Sequence, residues 1–161
     1  MSRYLSLLLI VLVSGCSQIG RNEEQLGNQL SDFDLMDLNG NPIASESLTG
    51  KRVFLNIWAT WCRPCIEEMP SIAAAQDELK DSNVIFVLAS GEDSERIKKF
   101  KDHFGIKLQF AHFKNMDDFY IRAIPVTYLF DEAGKLIHTE YGSRDWSTAA
   151  SQEIILQEKN D

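Results

Sequence analysis

Apolar positions fall in short blocks separated by polar turns. Val53-Phe54-Leu55-Asn56-Ile57-Trp58 and Val84-Ile85-Phe86-Val87-Leu88 are near-continuous apolar runs, the pattern of strands buried on both faces. Residues 126–130 read the same way. After the turn Asp131-Glu132-Ala133-Gly134, residues 135–141 supply a pairing strand, so the two form a hairpin. Residues 33–38 alternate and Asn39-Gly40 follows, which predicts a small N-terminal hairpin returning through Pro42-Ile43. A first helix is predicted over residues 62–80, with a kink at Pro70. A second starts at a cap on Asp93 or Ser94, presents Ile97, Phe100 and Phe104 on one face and stops at Gly105. Residues 107–113 are a further strand candidate, and Asn115 is placed to cap a short helical turn through Tyr120. A last helix, capped by Asp145, presents Trp146, Ala149, Ala150, Ile154 and Ile155. Strands alternating with helices argue an α/β layer structure with a mixed sheet.

The pattern changes at the start of the chain. Residues 4–13 are apolar apart from Ser6, follow Arg3, and are far shorter than the roughly 20 residues of a membrane-spanning helix. Small residues follow, as in a secretory signal. Val13-Ser14-Gly15-Cys16 resembles a bacterial lipobox, which implies cleavage before Cys16 and lipidation of its thiol. Residues 1–15 are therefore expected to be a lipoprotein signal peptide, 16–30 a lipid-anchored polar tether, and 31–161 the folded domain. That places the domain in the bacterial cell envelope, facing the periplasm or another extracytoplasmic space where disulfides persist. The 161-residue length suits one domain. A net charge of -8 argues against nucleic acid as a partner, since phosphate binding needs a basic surface.

Three cysteines are present, and lipidation of Cys16 leaves Cys62 and Cys65 as the only thiols. They lie with two residues between them where a buried strand gives way to a helix, the arrangement of a redox pair. The nucleophile in disulfide exchange is the thiolate. A helix start points unpaired N–H groups at Cys62, favouring the anion by about 0.3–1 kcal/mol and up to ~2 when partly buried. Arg63 adds a positive charge, and Pro64 limits the turn so that Cys65 can resolve a mixed disulfide formed at Cys62. A purely structural bridge across so short a loop would stabilise little. A zinc site would need about four ligands, and His103, His112 and His138 show no matching spacing. No metal or cofactor is expected. Asn56, polar in a buried strand, reads as a locally satisfied structural residue.

These residues resemble the thioredoxin fold. Residues 53–65 are similar to its active-site strand and turn, and Cys62-Arg63-Pro64-Cys65-Ile66-Glu67-Glu68-Met69-Pro70 resembles the TlpA/ResA/DsbE group of extracytoplasmic, membrane-tethered thiol–disulfide oxidoreductases. Ala123-Ile124-Pro125-Val126-Thr127-Tyr128-Leu129-Phe130-Asp131, followed by Gly134, resembles the family's cis-proline strand and hairpin. The resemblance covers roughly residues 30 to 158. It implies a thioredoxin-like mixed sheet flanked by helices, with the N-terminal hairpin and an inserted helix and strand at residues 93–113. It implies a cis bond before Pro125, beside Cys62, with Ile124 pairing an extended substrate segment and Trp61, Arg63 and Pro64 flanking it. Thioredoxins carry a buried aspartate where this chain has Asn56. In the TlpA/ResA-like group an acid three residues after the second cysteine is thought to substitute, here Glu68. Cys65 and Glu68 are i and i+3 on one helix, hence on one face, so a partly buried Glu68 could take the Cys65 proton.

The resemblance implies a monomeric enzyme that reduces disulfides of exported proteins, apocytochrome c among the candidates, with electrons from a membrane donor. Alternatives are an oxidant working the same site backwards, a copper-delivery module of the same fold, since two thiols can hold a soft metal ion, and a peroxide-handling relative.

Overall fold

The computed structural model describes residues 27–157. The signal sequence, Cys16 and most of the predicted tether lie outside the described residues.

Six strands form one mixed sheet: β1 (Leu35–Met36), β2 (Arg52–Ile57), β3 (Val84–Ser90), β4 (Gln109–Phe113), β5 (Val126–Phe130) and β6 (Leu136–Tyr141), in the order β1-β4-β3-β2-β5-β6. β2, β3 and β4 are parallel, while β1, β5 and β6 pair antiparallel to their neighbours. Parallel neighbours need crossovers, and helices supply them: α2 (Arg63–Glu78) joins β2 to β3, and α3 (Ser94–Phe104) joins β3 to β4. The remaining helices are the short α1 (Ser45–Leu48) and the C-terminal α4 (Ala149–Leu156).

Strand side chains alternate between faces. Phe54 and Trp58 of the β2 segment, with Leu88 and Leu129, pack on one face against Met69, Ile72 and Ala75 of α2, Ile97 and Phe100 of α3, and Trp146 and Ile155 near the C-terminus. Val53, Leu55 and Ile57 point the other way, with Val87, Val126 and Phe130, and are covered by Leu30, Phe33, Leu35 and Leu48. The central strands are thus buried on both sides, as their apolar runs predict. The same parity puts Asn56, between Phe54 and Trp58, on the face that carries α2.

Several local expectations change. The predicted N-terminal hairpin turns where expected, with Asp37 accepting from the Asn39 and Asn41 amides, but its return pairing is the single bridge Met36–Pro42. β1 finds its main partner in β4 instead. The last residues of the predicted tether already belong to the fold: Leu30 is buried, its N–H donates to the Gly134 carbonyl, and Gln29 bridges Lys135. Asp145 caps Ser147 locally, and Thr148 is the actual cap of α4. As a result Ser151 and Ile155 face the core, and Ala149 and Ala150 are exposed. Phe104 stacks on Phe100 yet stays 48% exposed. Asn115 precedes a single 3-10 turn (Met116–Asp118). Its side chain bonds Asp34 and Asp32 rather than capping that turn. α2 runs through Pro70 to Glu78. α3 matches the reading at both ends: Asp93 caps the Arg96 N–H, and Gly105 closes the helix at φ 63, a left-handed conformation that suits glycine.

Candidate active site

β2 ends at Ile57, and the chain crosses through Ala59, Thr60 and Trp61 to the start of α2. Cys62 is the N-cap: its backbone is extended and its Sγ accepts the Cys65 N–H at 3.3 Å. Pro64 sits in the first turn, where a missing N–H costs nothing. Cys62 and Cys65 are joined by a disulfide of 2.04 Å. The two sulfurs differ in access. Cys62 retains 5% exposure and Cys65 none, so an incoming partner meets Cys62 first. On the opposite side stands the Ile124–Pro125 bond, which is cis. The Ile124 carbonyl oxygen lies 3.8 Å from Cys62 Sγ. Trp61, 71% exposed, and exposed Arg63 and Pro64 rim the opening. Arg63 binds Glu67 at 2.7 Å one turn along, so its charge is shared with a carboxylate as well as with the cysteine turn.

Glu68 lies beneath this surface, one helical turn after Cys65, with only 4% exposure. Its Oε1 accepts from Asn56 Nδ2 at 2.7 Å and its Oε2 from the Arg144 N–H at 3.1 Å. Burial raises its pKa to about 7. The Arg144 amide, the Asn56 amide and the indole of Trp146 pull it back down. The Trp146 N–H acts from beyond hydrogen-bond geometry, being itself buried and unpartnered. A carboxyl poised near neutrality suits proton exchange at physiological pH. Glu68 also reaches a groove of about 530 Å³ shared with Pro64, Ser71 and Arg144, through which a proton could leave.

Sequence reasoning brings Cys62, Cys65, Glu68, Ile124 and Pro125 to this site, and the structure gathers all of them there. It misses four neighbours. Glu92, in the loop after β3, accepts from the Thr60 N–H at 2.6 Å and the Thr60 hydroxyl at 2.8 Å, fixing the approach to Trp61 and Cys62. Ser90 and Arg96 hold that carboxylate in turn, and His112 bonds the Glu92 carbonyl. Arg144 and Trp146 adjoin Glu68 from the C-terminal half of the chain, and Thr127 stands behind it through Asn56. Nothing in the sequence marks these four, because each arrives from a loop or strand far away along the chain. Asn56, read as purely structural, contacts Glu68 directly. Among the described residues no group of three or more His, Cys, Asp or Glu is placed to hold a metal ion.

The model of the AhpC/TSA family matches residues 26–159. The chain belongs to that family. Its thioredoxin-like fold places it beside proteins named as disulfide-exchange enzymes. The thiol-disulfide oxidoreductase ResA of Bacillus thuringiensis is 31% identical over 128 residues, covering 77% of this chain and 74% of that relative. The thioredoxin-like protein YneN of Bacillus subtilis is 33% identical over 124 residues, 74% and 73% of the two chains. Among solved structures, a thioredoxin-family thiol:disulfide interchange protein from Chlorobium tepidum superposes with a TM-score of 0.63 at 25% identity, covering 76% of this chain and 88% of its own. The family, the fold and the disulfide-linked pair make this protein a thiol–disulfide oxidoreductase of the ResA type.

Proposed function

We propose that this AhpC/TSA-family oxidoreductase works as a reductase of disulfides in exported proteins, tethered to the envelope by a lipid on Cys16, its domain facing the periplasm or another extracytoplasmic space. One observation carries the reading: Cys62 caps α2 within 3.8 Å of the Ile124 carbonyl, while Cys65 is sealed beneath it. In the dithiol form the Cys62 thiolate attacks one sulfur of a substrate disulfide. A Cys62–substrate bond forms, and the other substrate sulfur leaves as a thiolate that takes a proton from water. Cys65 then gives its proton to Glu68 and attacks Cys62 Sγ. The Cys62–Cys65 bond forms, the remaining substrate thiolate departs, and the two protein thiols have been oxidised as the substrate disulfide is reduced. A donor of two electrons at the membrane restores the dithiol. Ile124, in the bend before β5 and beside Cys62, offers backbone groups to which a substrate polypeptide can pair, and exposed Trp61 and Arg63 add side-chain contacts. Apocytochrome c is one such polypeptide. The -8 charge leaves nucleic acid aside.

Direction is tested by the potential of the Cys62–Cys65 couple. A value near about -270 mV or lower supports a reductant, and one near about -120 mV an oxidant. Reduction of insulin should vanish in Cys62→Ser; retained activity would sink the mechanism. Purified protein that carries stoichiometric copper and does not exchange disulfides would favour a metal-delivery role instead.

A further inference from the structure

Asn56 and Thr127 stand opposite each other in the β2–β5 register, so their side chains leave the sheet side by side on the α2 face. Both are buried. Asn56 Nδ2 donates to Glu68 Oε1 at 2.7 Å and to Thr127 Oγ1 at 3.0 Å. Its Oδ1 is buried with no partner. An orphaned buried carbonyl costs about 1–3 kcal/mol, and such groups call for a reason. Here the reason is direction. Both amide N–H groups are aimed at oxygens, and turning the amide over would set its carbonyl against a carboxylate. The Thr127 hydroxyl holds the second N–H and so fixes the amide plane that serves Glu68.

We infer that Asn56 and Thr127 are a positioning pair for the resolving step, with Thr127 acting through the Asn56 amide to keep Glu68 in its proton-accepting form. The inference rests on the proposed transfer of the Cys65 proton to Glu68. A donor to the ionised carboxylate opposes the effect of burial. The other charged groups around Glu68 are already engaged. Glu67 pairs with Arg63, Arg144 with Glu140, and Asp145 is held by Ser147, while His138 contacts Glu140 on β6. The pair is therefore the side-chain control that reaches Glu68 by a hydrogen bond, while the Trp146 indole acts on it from farther off. Thr127 lies two residues past Pro125, so the strand that would receive substrate also sets the acceptor.

Two readouts test this: the ¹³C titration of the Glu68 carboxyl in the oxidised protein, and the pH profile of disulfide exchange. Thr127→Val keeps the shape and removes the hydroxyl. It should raise the Glu68 midpoint by about one pH unit and, from a starting value of about 7, slow exchange at pH 7 about fivefold with KM unchanged. Thr127→Ser should restore both. In a Glu68→Gln background Thr127→Val should slow exchange no further. Asn56→Leu should raise the midpoint at least as far. A Glu68 midpoint unmoved by Thr127→Val overturns the pair, as does an equal loss of rate in the Glu68→Gln background, which would mark a merely structural role. If Glu68→Gln alone exchanges at the wild-type rate, the proton-acceptor reading fails, and the carboxyl titration still decides whether the pair controls Glu68.

Discussion

Replacing Glu68 by Gln keeps the size of the side chain and removes its charge, and the consequence for stability can be worked out from the site. Burial raises the Glu68 pKa from 4.5 to about 7. The folded protein therefore holds a proton on Glu68 at pH values where the unfolded chain has lost it. Stability rises with pH only where the unfolded state binds more protons. Here the folded state binds more, so the contribution of Glu68 is full below pH 4.5 and is lost as pH climbs through about 7. Between pH 5 and pH 8 the loss is about 2.5 kcal/mol, from 1.36 kcal/mol per pH unit and the two pKa values. The assay is urea unfolding at both pH values, on the oxidised protein so that neither cysteine titrates. Wild type should lose about 2.5 kcal/mol more than Glu68→Gln across that interval, and the variant should be the more stable at pH 8. Parallel pH dependence in the two proteins would show that Glu68 is already ionised at pH 5, and the argument from burial would fall. The same substitution removes a general base, so the resolving step should slow by about 10²-fold or more at pH 8, where Glu68 is mostly ionised.

Two further outcomes follow from the site. Cys65→Ser should leave Cys62, the more accessible sulfur, able to attack but unable to be released, so a mixed disulfide with substrate should accumulate and run as a reductant-sensitive adduct on non-reducing gels. Its absence would place the attacking sulfur elsewhere. Glu92→Ala removes the carboxylate that accepts both Thr60 donors. It should lower stability by about 1.5–3 kcal/mol and loosen the turn into Cys62, slowing exchange, while unchanged urea midpoint and rate would show that the turn is held without it.

The strands, the redox pair and the helix that starts on it were legible in the sequence because each rests on local order. Val53 to Ile57 announces a strand through its apolar run, and Cys62 and Cys65 announce exchange chemistry through their spacing. Glu68 could be named from the resemblance to the TlpA/ResA-like group, and its spacing from Cys65, a fixed displacement along a helix, agrees with that role. The hydrophobic pattern misjudged places where tertiary partners outcompete local ones. β1 pairs with β4 rather than folding back fully on Pro42, and α4 starts on Thr148 because Asp145 is consumed by Ser147.

The available chemistry is written locally: two thiols, a proline strand and an acid at helical spacing each depend on distances of a few residues along one element. How that chemistry is tuned depends on the folded arrangement. Ionisation depends on burial and on donors that arrive from β2 and the loop after β6: Asn56 and Arg144 reach Glu68 from 12 and 76 positions away, and Thr127 of β5 holds Asn56 from 71. The clamp from Glu92 onto Thr60 spans 32 positions. A pKa or a fixed turn is a property of the space around a group, and that space exists only once the sheet has brought those strands together.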